Sequence, residues 1–504
     1  MTGDFEARFD DLQRKLVPLW GTIASLTDHA QTIVVVPSIP SGLLPPAVVP
    51  AYEERYLFML LLLRQPRATM IYLTSQAVAP SIVGYYLDLL PEEAARTARA
   101  RLHLLSPLDA SEGSLSGKLL ARPALLGRIR GLIDDPDRAH LAPFMTTEEE
   151  LRLAVELGIP MYGAHPRHYP LGTKSECRQL FREEGVALPR GREGLTDLGQ
   201  AAEAIVELRG TGPPLRRAIV KLNDGVSGLG NAEVDLEGLP VPGSPGEAAA
   251  VGERIRALAL ESDDLTVEAY EERLAQVGGV VEERVEGDDV RSPSVQMRIT
   301  PLGELDVLST HDQLLGGASG QSYLGARFPA DPGYAAAITG ETAKIGERLA
   351  REGVLGRFGV DFVVVRRGRA WEAYAIELNL RKGGTTHPFL TLQFLTDGVY
   401  DPERATYTTP RGEEKAFVAS DHVESPSYRG LTPDDLFEIA VRRGVHFDRS
   451  RQTGVVFHMM SALGSRGQTG LTAVANSPEE AEGLYARTVA ILDEETRDAS
   501  RPDA

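Results

Sequence analysis

Cysteine is almost absent. Cys177 is the single thiol in 504 residues, so no disulfide forms within the chain, and a disulfide-stapled secreted scaffold is excluded. Long apolar runs are missing too. The longest block, Tyr56 to Leu63, falls well short of the ~20 residues a membrane-spanning helix needs. The opening stretch MTGDFEARFDDLQRK is acidic and amphipathic and lacks a signal-peptide pattern; with the lone thiol, it leads to the expectation of a cytoplasmic protein. Positive charge is in deficit, with 53 Lys and Arg against 72 Asp and Glu and a formal net charge of -19. That balance argues against nucleic acid and against an anionic membrane as partners, and any bound phosphate must meet a local basic patch. Lysine is scarcest of all. There are seven, Lys15, Lys118, Lys174, Lys221, Lys344, Lys382 and Lys415, so a lysine in a motif-like setting is informative. No G-x-x-x-x-G-K-[ST] loop occurs. Pro37-Ser38-Ile39-Pro40 follows the first predicted strand where a dinucleotide fingerprint would stand, so a nicotinamide cofactor is not expected.

What is present is ordinary for a globular chain, with 42% hydrophobic and 25% charged residues, and the length suits two to four structural units. Up to about residue 165, predicted strands (Thr32 to Pro37, Ala68 to Thr74, Arg101 to Leu105, Ile159 to Tyr162) alternate with helices. The helices are Ala51 to Arg64, Pro80 to Leu90, Lys118 to Ile133 and Thr147 to Leu157. That order predicts an open, mainly parallel sheet. The texture then changes. Thr173-Lys174-Ser175-Glu176 reads as a capping box. It leaves Lys174 in a first helical turn, where the dipole disfavours a cation unless an anion is near. Lys221 ends the strand Ala218 to Leu222 and runs into a loop containing Asp224, Gly225, Ser227, Gly228 and Gly230. Such a loop can bring backbone N–H groups around a phosphate. The strand Gly279 to Val285 leads into Glu286-Gly287-Asp288-Asp289. That pattern suits adenosine, with backbone on the base edge and a carboxylate on the ribose; it equally suits a plain strand and turn at a sheet edge. His311-Asp312-Gln313 precedes a Gly-rich loop, 316–321, that could cover a triphosphate. His311 is a candidate for chemistry and Gln313 for nucleotide binding, with a hydrogen-bonded core histidine as the alternative for His311.

The chain is organised around Gly356 to Pro388. Val360 to Val365 and Ala370 to Leu380 read as a hairpin across an Arg366-to-Arg369 turn. With a three-residue loop Arg366 opposes Ala370 and Asp361 opposes Ala375, so Asp361, Glu377 and Asn379 share a face; a one-residue slip would send Asp361 to the other side. Two carboxylates and an amide oxygen suit Mg²⁺ bound with a nucleotide, where the alternative is a solvated surface hairpin. Arg381, Lys382 and the Gly383-Gly384-Thr385-Thr386 turn add positive charge and free N–H groups for anions. Beyond residue 396 the reading is a polar connection or lid to about residue 430, then a small closing unit of two strands and a helix.

This ordered set, Lys174, Lys221 before a Gly-rich hairpin, V-V-E-E-R-V-E-G, then Asp361 and E-L-N-L-R-K-G-G, resembles the ATP-grasp superfamily over roughly residues 166 to 395. The T-T-H-P-F-L-T-L-Q-F run and the closing G-L-T-A-V make the whole chain similar to the pheganomycin-type peptide ligases. The resemblance implies an α/β fold. A Rossmann-like pre-ATP-grasp domain (1–165) would precede two ATP-grasp lobes (166–285 and 286–396), and a lid with a small α/β unit (397–504) would follow. It implies ATP between the lobes, with Lys174, Lys221, Asp224, Ser227 and Gly228 around the phosphates. Glu282, Glu283 and Val285 would meet adenine, the latter two partly through backbone, and Asp289 would hold the ribose. Mg²⁺ would lie on Asp361, Glu377 and Asn379. Arg381, with Lys221, Lys382 and His311, would serve chemistry. Three departures stand out. Leu222 follows Lys221 where many relatives have Pro. Asp289 replaces the commoner Glu. Gly359 stands where D-alanine-type ligases carry a catalytic Arg, so Arg357 or Arg381 would have to supply that charge. The implied activity joins a small-molecule or peptide carboxylate to an amine through an acyl phosphate, with a homodimer as the implied assembly. A phosphotransferase and a non-catalytic ATP-binding regulator are the alternatives.

Overall fold

The computed structural model describes residues 2–25, 30–225, 228, 230–261, 265–317 and 320–499. The first sheet holds β1 (Gln31–Val36), β2 (Ala68–Leu73), β3 (Leu102–Leu105) and β4 (Ala139–Pro143), parallel in the order β3-β2-β1-β4. Every residue of β1 is buried, as a near-continuous apolar run between two helical layers must be. The expected fourth strand at Ile159 to Tyr162 reduces to a single bridge, Leu141 to Met161. The expected helix Ala51 to Arg64 is α-helical only over Val49–Glu54 and continues as a 3₁₀ helix over Arg55–Arg64. Arg55 to Leu63 are all buried, so no solvent-facing stripe fixes a 3.6-residue period and packing sets the geometry. Pro123 divides the expected helix Lys118 to Ile133 in two, Leu115–Leu120 and Pro123–Arg130, because it cannot donate to the preceding turn but suits the first position of a new one.

A five-stranded antiparallel sheet follows: β5 (Gly191–Leu195), β6 (Arg217–Leu222), β7 (Asn231–Asp235), β8 (Ala259–Leu260) and β9 (Gly279–Glu283), in the order β5-β9-β6-β7-β8. The third sheet has nine strands. They are β10 (Val290–Arg291), β11 (Pro293–Ile299), β12 (Leu305–Gly316), β13 (Ser322–Phe328), β14 (Gly356–Arg367) and β15 (Ala370–Asn379), and then, after the hairpin β16 (Val399–Asp401) and β17 (Thr406–Thr408), β18 (Ala416–Glu424), β19 (Gly454–His458) and β20 (Gln468–Ala475). Their order is β10-β14-β11-β12-β13-β18-β20-β19, with β15 on the free side of β14.

The C-terminal strands therefore extend the sheet that carries β14 and β15. Part of the stretch expected as an irregular connection is β18, an interior strand buried from Ala416 to Asp421. The two ends of the chain share one core, in which Tyr56, Leu60 and Tyr86 join Phe457, Leu471 and Val474. Tyr86 Oη donates to the Phe457 carbonyl at 3.0 Å, Tyr85 stacks on Phe437 at 4.4 Å, and Glu54 accepts from the Met460 N–H at 2.6 Å. Ile39, Phe144 and Tyr407 of this core reach the cleft between the two antiparallel sheets.

Candidate active site

The hairpin reaches the expected arrangement by a different register. Its turn has two residues, Gly368 and Arg369, so Arg367 pairs with Ala370. Continued without interruption, that ladder would place Asp361 opposite Ile376 and on the wrong face. A bulge at Ile376 adds one residue to β15 and sets Asp361 opposite Glu377 and Gly359 opposite Asn379. The Asp361 carboxylate accepts from Gln313 Nε2 at 2.8 Å and Asn379 Nδ2 at 3.1 Å. Burial, and after it the charge of Glu377, push the Asp361 carboxyl up from its ordinary value. Two like charges directly across a strand pair repel, and a cation between them removes that cost. A set of hard oxygen donors on one face, already crowded with negative charge, fits Mg²⁺.

Lys174 enters from the first turn of the helix Lys174–Glu183, whose N-terminus is capped by Thr173. Its Nζ lies 2.5 Å from Glu377 Oε1 and 3.4 Å from the Gly225 carbonyl. The anion that its place at a helix N-terminus calls for is thus Glu377. Lys221 Nζ lies 2.6 Å from Glu282 Oε2, and Arg178 Nη1 holds the other oxygen at 2.9 Å.

A cleft of about 1660 Å³ is lined by Lys174, Lys221, Gly225, Gly228, Glu282, Glu283, Val285, Gln313, Asp361, Glu377, Asn379 and Arg381. At Gly228, φ is +83° and an added Cβ would come within 2.9 Å of the Gln321 carbonyl. The Gly-rich turn can therefore lie against the opposite loop only with glycine there. Glu282 stays on the cleft wall as the counter-ion of Lys221 and Arg178, with both carboxylate oxygens engaged. Glu283 also stays on the cleft wall, its carboxylate held by Arg190 at 2.7 Å and its N–H donating to the Arg190 carbonyl. Several expectations are corrected. Asp289 pairs with Arg291 at 3.2 Å and does not line the cleft, nor does Asp224, which pairs with Arg273 at 3.3 Å. Lys382 is half-buried beside a separate small cavity and donates to the Pro143 carbonyl; desolvation there, and then Arg357, lower its pKa to about 7. His311 is fully buried among Phe328, Phe389 and Phe417, bonded to Ser309 Oγ at 2.8 Å, and burial lowers its pKa to about 3. It is a core histidine. Ser227 lies outside the described residues. Arg357 is absent from the cleft wall, which leaves Arg381 as the guanidinium beside the opposed carboxylates.

Sequence reasoning missed a second polar group at the cleft wall. Arg55 Nη1 lies 2.5 Å from Asp421 Oδ2, and Asp421 Oδ1 meets His458 Nε2 at 2.8 Å. His387, one residue into the helix Thr386–Thr396, lies 3.1 Å from His458. Burial pushes the Asp421 carboxyl up, but Arg55 and then His387 outweigh it and hold the group well below the usual carboxylate range. Burial, and next His458, lower the pKa of His387 to about 3. The available signal was a lone charge inside an apolar strand, as Asp421 is in AFVASDHV and His458 in GVVFHMM.

A family model described as IQCH-like, ATP-grasp matches residues 260–403, and one described as PGM1 C-terminal domain matches residues 435–488. The L-propargylglycine–L-glutamate ligase of Streptantibioticus cattleyicolor is 32% identical over 450 residues, covering 87% of this chain and 89% of that protein. The chain belongs to the ATP-grasp carboxylate–amine ligases. This chain is also 22% identical to IQ motif-containing protein H of Danio rerio over 86% of its length, spanning 45% of that protein. Solved structures share the ATP-grasp fold. An N5-carboxyaminoimidazole ribonucleotide synthetase bound to ADP superposes with a TM-score of 0.50 at 12% identity, covering 92% of this chain and 97% of its own. The biotin carboxylase domain of Hydrogenobacter thermophilus 2-oxoglutarate carboxylase, bound to MgADP, ADP and bicarbonate, gives 0.50 at 14% identity, covering 88% and 86%. Among the described residues no helix is long and apolar enough to cross a membrane.

Proposed function

We propose that this ligase joins the carboxylate of an amino acid or short peptide to an amine by way of an acyl phosphate, using ATP and Mg²⁺. The observation that carries the reading is the convergence of Lys174, Lys221 and Arg381 with the opposed carboxylates Asp361 and Glu377 in one cleft. The substrate carboxylate attacks the γ-phosphorus of ATP, and ADP departs. The amine then attacks the acyl carbon, inorganic phosphate departs, and the nitrogen loses a proton. Asp361, Glu377 and the Asn379 oxygen would hold Mg²⁺, which when bound supplies charge neutralisation at the phosphates. Lys174 and Lys221 supply fixed positive charge where the transferring group gathers negative charge. Arg381 faces the carboxylate and then the acyl phosphate, both forked oxyanions that match guanidinium. Two lobes closing over the cleft would keep water from the acyl phosphate. The buried thiol of Cys177 suits a reducing cytoplasm, and the dimeric biotin carboxylase domain makes a homodimer the assembly to test.

A panel of amino acids incubated with ATP and hydroxylamine tests this directly. Hydroxamate formed in step with ADP release is the expected result. A stable phosphorylated product without hydroxamate would make the protein a phosphotransferase. ATP binding without turnover across the panel would make it a regulator.

Arg381 gives a sharper check. Arg381→Lys keeps the charge and loses the fork, so kcat should fall nearly as far as in Arg381→Ala while ATP affinity hardly moves. Calorimetry of ATP binding beside steady-state rates separates the two. Lost ATP affinity with normal turnover at saturating ATP would place Arg381 at the nucleotide instead.

A further inference from the structure

Three ring and carboxylate atoms from segments far apart in sequence meet in the wall of the cleft. His387 Nε2 lies 3.1 Å from His458 Nε2 and 3.4 Å from Asp421 Oδ1, and His458 Nε2 lies 2.8 Å from the same oxygen. All three side chains are 5% exposed or less. Neutral imidazoles cannot satisfy this triangle. If both Nε2 atoms carry hydrogen and donate to Asp421, the two N–H groups stand side by side. If only one does, the lone pair of the other faces the carboxylate. Every placement of protons leaves like poles in contact inside a buried site, where such a contact is costly.

A cation resolves all three contacts. The circle through the three atoms has a radius of about 1.8 Å, so an ion at the ~2.0–2.2 Å usual for Zn²⁺ would sit roughly 1 Å out of their plane. That is the apex of a trigonal pyramid somewhat steeper than a tetrahedron, with its fourth position open. Two imidazole nitrogens and one carboxylate oxygen suit a borderline first-row dication and not Mg²⁺, which takes oxygen. The surroundings are built to hold the ligands. Arg55 binds the second oxygen of Asp421 at 2.5 Å, as orienting partners of metal ligands do. A Cβ on Gly470 would come within 2.0 Å of His458 Nε2, so glycine there leaves the imidazole its place.

We propose that His387, Asp421 and His458 bind one dication of the Zn²⁺ class, at a site separate from the opposed carboxylates Asp361 and Glu377. The ion would tie His387, at the start of the helix Thr386–Thr396 and two residues past cleft-lining Thr385, to β18 and β19. In that way it would fix one end of the cleft to the C-terminal strands.

The test uses the full chain, stripped with a chelator and then titrated with Zn²⁺ by calorimetry in excess Mg²⁺. Co²⁺ serves as a second probe through its visible absorption. One equivalent of Zn²⁺ should bind, and the visible band of tetrahedral Co²⁺ should appear. His387→Ala and His458→Gln should each weaken the binding by at least ~100-fold. Asp361→Asn, at the opposed carboxylates, should retain the Zn²⁺ equivalent. Circular dichroism identifies which variants are folded. A folded wild-type protein that takes up neither ion, or undiminished uptake by a folded His458→Gln protein, overturns the proposal.

Discussion

Glu377→Gln should lower kcat by on the order of 10²–10³-fold, the loss typical of removing one well-placed electrostatic group, and should also destabilise the fold. The first effect follows from its place opposite Asp361, where its oxygen belongs to the donor set that fits Mg²⁺. The second follows from Lys174, whose Nζ lies 2.5 Å from Glu377 and whose side chain is 6% exposed. Removing one partner of a buried pair costs about 3–5 kcal/mol. The lower end applies here, because the Glu377 side chain is 22% exposed and partly hydrated. The two effects separate in a double variant. Lys174→Met with Glu377→Gln should regain much of the lost stability, since no charge is stranded, and none of the lost turnover. Denaturant midpoints and steady-state ADP release measure the two sides. A Glu377→Gln enzyme with wild-type kcat would remove this residue from the site.

Much of this site was legible because its residues lie close together in sequence. Between Asp361 and Arg381, alternation alone puts Glu377 and Asn379 on one face, and a hairpin of the right register adds Asp361. The register was not legible. A three-residue loop and a two-residue loop followed by a bulge give the same face for Asp361, and a bulge among Ala375, Ile376 and Glu377 leaves no mark in the pattern. His311 shows the converse failure. Its neighbours Asp312 and Gln313 look functional, yet the rings that enclose it come from Phe328, Phe389 and Phe417 on three other elements. The strand β18 was hidden because Pro402, Pro410 and Asp421 make its surroundings look irregular, while its burial depends on β13 and β20, remote in the chain. The pairing of Arg55 with Asp421 spans 366 residues, a distance over which a single sequence carries no pairing signal.

Glu282→Gln should cost about 3–5 kcal/mol of folding stability, because it strands charge on side chains that are almost wholly buried. The Glu282 side chain is 2% exposed, and the cations on it, Lys221 and Arg178, are 5% and 2% exposed. Arg178 keeps Glu193 at 2.7 Å and the Pro189 carbonyl at 2.9 Å, so Lys221 bears most of the loss. Burial by itself would raise the Glu282 carboxyl, but Lys221 and then Arg178 more than offset it and hold the group below its ordinary value. A carboxyl lowered on folding contributes stability that is complete above its unfolded pKa and is lost as pH falls through the folded value. The wild-type protein should therefore lose part of its stability in acid through this group, and the Gln variant should lack that part. Urea midpoints at about pH 7 and about pH 4 for both proteins measure it. The difference between wild type and variant should shrink toward the acid end. Glu282→Leu combined with Lys221→Met should be more stable than Glu282→Gln, since it strands no lysine. If the Gln variant matches wild type near neutrality, or if the gap between them stays constant across that range, the buried ion pair is not what holds the end of β9 against β6.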